Sequence, residues 1–311
     1  MRPSFVAALC EAAAQDPRIW LLCGDLGYSA LEPFRDTFAS RYVNVGVAEQ
    51  NMAGIAAGMA RTGKIVFTYS IANFPTLRCL EQIRNDICYH EANVKVVAVG
   101  AGFSYSSQGY THHGVEDIAI MRALPGMTVV SPGDPVETKL ATRAIIDKPG
   151  PCYLRLGKAG EPVLHTTAPA FELGKAIQMT EGNDLTLITT GTMLKDVLDL
   201  GARLRAGGIA SRVLSMHTIS PLDVGAIQAA SRETTAIVTI EEHSVTGGLG
   251  SAVADVLAEM DGPRVAFKKI GVPARLYHEI GSQKYMRQLL GDVDAIARET
   301  VLRGRANAGA K

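Results

Sequence analysis

No charge of either sign prevails in this 311-residue chain: 31 basic residues cancel 31 acidic ones. Nucleic acid and anionic membrane, which both select basic surfaces, are therefore not indicated as partners. No apolar run reaches the roughly 18 residues that a membrane span needs. The opening segment, MRPSFVAALCEAAAQDPRIW, has one early arginine and a helical apolar spacing broken by Glu11 and Asp16, which is not the pattern of a secretory signal. No Cys-x-x-Cys pair occurs. Cys10, Cys23, Cys79, Cys88 and Cys152 are scattered, and an odd, unspaced set reads as reduced, buried thiols of a cytoplasmic protein. Tandem repeats, heptads and low-complexity tracts are also missing.

Hydrophobic residues make up 47% of the chain and charged residues 20%, enough for a sizeable core in each of about two domains. Short β-rich runs alternate with helical patterns. Strands are predicted at 19–25, 64–70, 94–102, 127–132 and 152–157, and helices at 4–15, 47–61, 76–90 and 134–147. The strand runs are continuously apolar, which marks strands covered on both faces and hence a doubly wound parallel sheet in an α/β fold. Two prolines and two glycines break the rhythm within 158–175, and a linker is placed at 161–175 between a domain over 1–160 and a smaller α/β domain over 176–311. The second domain repeats the alternation, with strands at 185–191, 211–216, 236–242 and 265–272 and helices near 192–206, 247–260, 282–290 and 292–303. The tail from Gly304 reads as frayed.

Parallel doubly wound sheets bind ligands beyond the carboxyl ends of their strands. That rule selects Asp25 to Ser29, Glu49, Tyr69 to Phe74, Ala101 to His113, and Arg155. Glu49 stands where an apolar run turns into a helix made almost wholly of alanine and glycine. Such a helix suits close approach by another backbone, because Gly54 and Gly58 each cost about 1 kcal/mol relative to alanine. The carboxylate should be partly buried, which favours holding or sharing a proton. The plainer alternative is an acid stabilised by the helix dipole. His112 and His113, in a glycine- and serine-rich loop, suit acid, base or hydrogen-bonding work. One of them can equally be structural, and metal binding lacks a third ligand at a recognisable spacing. Arg2, Ser29 and Arg155 would form an anion site if gathered at one rim, and are solvated or paired residues if not. The glycine turn in EEHSVTGGLGSAV is a structural cap or an anion cradle.

Four ordered stretches, GVAEQNMAGIAAGMA, LEQIRNDI, GYTHHGVEDIAIMRALPGMTVVSPGD and VTIEEHSVTGGLGSAVADVL, together resemble the C-terminal half of a transketolase over nearly the whole chain. The resemblance implies a pyrimidine-binding domain, a transketolase C-terminal domain and thiamine diphosphate as cofactor. The family's Gly-Asp-Gly…Asn motif for the diphosphate and Mg²⁺ is not found here. The chain is thus expected to be one subunit of a split enzyme, in a cytoplasmic α2β2 heterotetramer whose N-terminal partner subunit binds the metal. No metal ligand is expected on this chain.

By the same resemblance, Glu49 pairs with N1′ of the aminopyrimidine, Asp25 and Leu26 match the Asp-Leu pair whose leucine bends the cofactor, and Phe74 packs on the ring. His112 faces the substrate, and Arg2, Ser29 and Arg155 hold a sugar phosphate. Gln108 and His113 stand where the family carries an acid and a glutamine, and a further basic residue expected near Gly100 or Ala101 is absent. A different hydroxyl pattern is therefore implied, with phosphorylated, modified or nucleotide-linked sugars as substrates. The implied reaction moves a two-carbon ketol unit from a ketose to an aldose. The alternatives are a beta subunit of a 2-oxo-acid dehydrogenase, a deoxyxylulose phosphate synthase-like enzyme, or a non-catalytic regulatory subunit.

Overall fold

The structure, a computed structural model, describes residues 1–261 and 265–309, with side chains through residue 307. Its strands are β1 (Ile19–Cys23), β2 (Tyr42–Asn44), β3 (Ile65–Ile71), β4 (Val94–Val99), β5 (Thr128–Val130), β6 (Cys152–Leu156), β7 (Ile177–Thr180), β8 (Leu185–Thr189), β9 (Ser211–Ser215), β10 (Thr218–Ser220), β11 (Ala236–Ser244) and β12 (Ala266–Val272). They form a seven-stranded sheet in the order β10-β5-β6-β4-β3-β1-β2 and a five-stranded sheet in the order β12-β11-β8-β9-β7.

The doubly wound reading matches this architecture. Every residue of β4 and β6 is buried, as expected for apolar runs covered on both faces. Phe5 and Leu9 from helix Arg2–Gln15 and Ala141 and Ile145 from helix Pro135–Asp147 pack on one face of the first sheet. Met52, Ala53, Ile83, Ile118 and Met121 cover the other. Each such large apolar side chain contributes about 1.5–3 kcal/mol by leaving water. The second sheet is covered likewise, by helices Leu194–Ala206 and Val293–Gly309 on one side and Val224–Glu233 and Leu249–Glu259 on the other.

Several details differ from the sequence reading. Both sheets carry an antiparallel edge: β10 against β5, and β7 against β9. The short strands β2, β7 and β10 and the helices Glu32–Thr37 and Val224–Glu233 lie outside the predicted elements. The predicted helix at 76–90 is a turn at Leu80–Gln82 that widens into a π-helix at Ile83–Cys88. The last helix runs to Gly309 where fraying is expected from the sequence; the final two residues lie outside the described residues.

The two sheets are locked together. β10, from the C-terminal part of the sequence, closes the edge of the first sheet. Residues of the expected linker are pinned: Leu164 and His165 donate their N–H groups to Asp134 Oδ2 at 2.8 and 3.2 Å, and Phe171 stacks on buried His217 at 4.0 Å. At the seam lies Arg155, 2% exposed. Its Nε donates to Asp117 Oδ2 at 2.7 Å, and its Nη2 to the carbonyls of Gly114 and Glu242 at 2.7 and 3.1 Å. Tyr153 adds a donor to the same Asp117 oxygen. The guanidinium holds the Asp117 carboxyl below its usual range despite the opposing effect of burial, which is the larger single influence.

Truncating one member of a buried pair strands the other charge, at a cost of about 3–5 kcal/mol. Arg155→Ala is expected to lose stability on that scale. Equilibrium urea unfolding measures it; a loss within about 0.5 kcal/mol, the range of ordinary surface substitutions, contradicts the assignment.

Candidate active site

Strand β2 ends at Asn44, and Gly46, at φ 75°, turns the chain so that Glu49 opens the helix Glu49–Ala60. Glu49 is 1% exposed. Ser70 Oγ, near the end of β3, donates to Oε1 at 3.1 Å, and Arg78 Nη1 donates to Oε2 at 2.8 Å. Gly24, just past β1, lies beneath the carboxylate; a Cβ there would come within 3.3 Å of Oε1. A carboxylate has about four lone-pair sites, so these two bonds leave capacity for a further donor.

The Arg78 guanidinium lies 4.8 Å from the Phe74 ring centre. Phe74 meets His112 edge-on at 5.3 Å. Glu49, Arg78, Phe74 and His112 are therefore one continuous run of contacts along the strand-end rim. The His112 imidazole is half-buried, with Nδ1 3.0 Å from Thr111 Oγ1. Gln108 is exposed on the short turn Ser106–Gln108 of the same loop.

Asp25 and Ser29 adopt left-handed backbone at φ 55° and 60°, a conformation costing side-chain-bearing residues of order 1 kcal/mol and concentrated at functional sites. The Asp25 carboxylate accepts from Asn44 Nδ2 at 2.9 Å and Tyr28 Oη at 3.1 Å, and these bonds lower its pKa. Leu26 packs, half-buried, against the apolar layer under the sheet. Arg2 and Ser29 line a cleft of about 650 Å³ together with Val6, Cys10 and Glu32, and the Ser29 N–H donates to Glu32 Oε1 at 2.8 Å.

Two expectations need correction, and one open alternative falls to its structural reading. Arg155 does not line the cleft with Arg2 and Ser29; its Nε and Nη2 are engaged inside the seam by Asp117 and two carbonyls. His113 is turned away from the rim: it is 1% exposed and stacks on Tyr277, with Phe103 edge-on at 5.2 Å. The glycine turn before helix Leu249–Glu259 offers no room to an outside anion. The chain's own Glu241 accepts from the Leu249 and Gly250 N–H groups at 2.7 and 2.8 Å, and burial pushes its pKa up to about 7.

Sequence reasoning reaches Ser70 only as part of the Tyr69 to Phe74 strand end, without a role, and misses Arg78. Ser70 is visible as a polar residue ending an apolar strand, but Arg78 has no distinguishing signal inside a predicted helix. Gly54 and Gly58 are exposed, and among the described residues nothing outside the backbone of their own helix lies within 4 Å of where a Cβ would stand, so no packing contact within the described residues requires them. Among the described residues, no three His, Cys, Asp or Glu side chains are grouped to hold a metal ion, and no helix is long and apolar enough to cross a membrane.

Comparison with known proteins extends this geometry. Residues 1–160 match the family described as "Transketolase, pyrimidine binding domain", and residues 174–295 match "Transketolase, C-terminal domain". The chain is 40% identical to an apulose-4-phosphate transketolase subunit of Phocaeicola vulgatus, over 88% of this chain and 87% of that one. It is 37% identical to the 6-deoxy-6-sulfo-D-fructose transketolase subunit SqwH of a Clostridium species, over 94% and 90%. A solved structure described as "Split gene transketolase, inactive beta4 tetramer" superposes with a TM-score of 0.86 at 37% identity, over 97% of each chain.

Burial disfavours the imidazolium form of both loop histidines, and their pKa values lie below the ordinary 6.5. Both are therefore neutral at pH 7. Because the unfolded chain takes up these protons at a higher pH than the folded one, the two sites withdraw stability as pH falls through 6.5. An NMR titration of ¹⁵N-labelled histidine should give midpoints below 6.5 for His112 and His113; a midpoint above about 7 for either contradicts the geometry.

Proposed function

The chain belongs to the transketolase family, among its split-gene subunits of the beta type, and from that premise we propose that it supplies the aminopyrimidine-binding half of a thiamine diphosphate site shared with a separate N-terminal subunit. The supporting observation is the buried Glu49 carboxylate at the strand-end rim, with Phe74 beside it and His112 beyond. The residues fit an aminopyrimidine edge. Glu49 keeps lone-pair capacity for a ring nitrogen, and Phe74 offers an aromatic face. Arg78 bridges Glu49 and Phe74 in the lone chain, and its side chain is 45% exposed, so it has room to swing aside for a ring.

When bound, the cofactor supplies the carbanion chemistry of two-carbon ketol transfer from a ketose to an aldose. This chain's residues orient and protonate. Glu49, buried at 1% exposure, would hold a proton shared with the ring nitrogen. His112, neutral and with Nδ1 engaged by Thr111, presents Nε2 to a substrate carbonyl or hydroxyl. Leu26, half-buried beside Asp25, would support the cofactor from below. Arg2 and Ser29 meet the far end of the sugar, and Gln108 reads a hydroxyl. Glu32 in the same cleft disfavours a doubly charged group near Ser29, in keeping with a modified sugar.

Mg²⁺ and the diphosphate fall to the partner subunit in this reading, within a cytoplasmic α2β2 assembly. The exposed face of helix Glu49–Ala60, where Gly54 and Gly58 meet no described residue outside their own helix, is the natural seat for a partner helix. We place the pyrimidine-binding domain at 1–160, the linker at 161–175 and the C-terminal domain at 176–311.

The purified chain alone should not hold thiamine diphosphate tightly, while the reconstituted pair should; calorimetry decides, and tight binding by the lone chain refutes the shared site. In the pair, Glu49→Gln should slow exchange of the cofactor C2 proton about 10²–10⁴-fold, the scale of acid–base catalysis. Exchange at the wild-type rate removes Glu49 from the chemistry.

A further inference from the structure

The loop that carries Gln108 and His112 leaves β4 and closes on itself through a two-way bridge. Gly102 and Gly114 exchange N–H···O bonds, each of 2.9 Å. The first foot of this loop touches the side chain of one residue of the other sheet, Glu242 on β11, and the second reaches that residue's main-chain carbonyl through Arg155. At the first foot, the Phe103 N–H donates to Glu242 Oε1 at 2.5 Å. Gly102 has φ 60°, and a Cβ there would overlap Glu242 Oε1, so the backbone lies directly on the carboxylate. At the second foot, Arg155 Nη2 bridges the Gly114 carbonyl to the Glu242 carbonyl, at 2.7 and 3.1 Å.

Glu242 has no freedom to drift. It is 2% exposed. Gln283 Nε2 donates to both of its oxygens at 2.9 and 3.1 Å, and Arg287 Nε donates to Oε2 at 2.5 Å. A buried carboxylate with every oxygen satisfied is a rigid anchor, because losing any one donor leaves charge uncompensated in a low-dielectric site. The grip continues along the loop: Ser106 Oγ donates to the Gly281 carbonyl at 2.7 Å, and His113 stacks on Tyr277. His112 alone among the loop's histidines stays on the rim, against Phe74.

We propose that Glu242 is a positioning residue for the substrate side of the site: through the feet of the 102–114 loop, the second domain sets where His112 stands. The proposal rests on the reading of His112 as substrate-facing. It also gives the acidic pair of the EEHSVTGGLGSAV segment two separate tasks. Glu241 caps a helix of its own domain, and Glu242 reaches across to the other.

The test uses Glu242→Gln and, as a milder change that keeps the carboxylate, Gln283→Ala. In the isolated chain, hydrogen exchange should accelerate about tenfold or more for amides 103–113, with strands 65–71 and 94–99 unchanged. In the reconstituted pair with hydroxypyruvate as donor, kcat/KM should fall about 10-fold or more, mainly through KM, while cofactor C2 proton exchange stays within about twofold of wild type. Unchanged loop exchange in both variants overturns the proposal. So does a fall in C2 exchange that parallels turnover, since that marks a general structural loss. Failure of Glu49→Gln to slow C2 exchange instead sinks the functional reading and leaves the loop exchange result standing.

Discussion

A guanidinium only 2% exposed governs how the two halves of the molecule meet. Arg155, near the end of a strand of the first sheet, neutralises Asp117 through Nε and gives Nη2 to carbonyls from the loop after β4 and from β11. A charge so deeply buried tolerates one arrangement of its partners, because displacing any of them leaves a penalty of several kcal/mol. The pair therefore acts less as a source of net stability than as a constraint. It fixes the strand-end rim of the first sheet relative to the second, and the candidate site sits on that rim.

Much of this fold can be read from apolar continuity alone. The runs over 64–70, 94–102 and 152–157 read as buried strands, and they are. The short strands β2, β7 and β10 carry no such signal. Each is three or four residues long, and what makes them strands is a partner distant in sequence, as with Thr218–Ser220 beside Thr128–Val130. The π-helical stretch Ile83–Cys88 has an ordinary helical sequence, so its extra residue per turn is equally invisible.

The site is legible to a different degree. The strand-to-helix position of Glu49 draws sequence reasoning to it, although a helix-dipole role explains an acid there equally well, and it is the family resemblance that assigns it to the aminopyrimidine. Arg155 is misread for the opposite reason: a sequence shows an arginine at a strand end but not the aspartate 38 residues earlier that claims it. Adjacent histidines give no clue to their opposite orientations, which depend on Tyr277 and Phe103 closing over His113. Arg78 escapes notice because its importance lies in what it touches and not in its local pattern.

The closing of the first sheet by β10 has a consequence for how this molecule can be divided. A fragment ending within the linker would retain every strand of the parallel core yet lose the ribbon that covers Thr128–Val130. Bare backbone donors and acceptors along such a margin invite pairing between copies. The pyrimidine-binding half is thus not a self-sufficient module that could be expressed or recombined at will: its solubility is guarded by a short stretch lying some sixty residues beyond its own last strand.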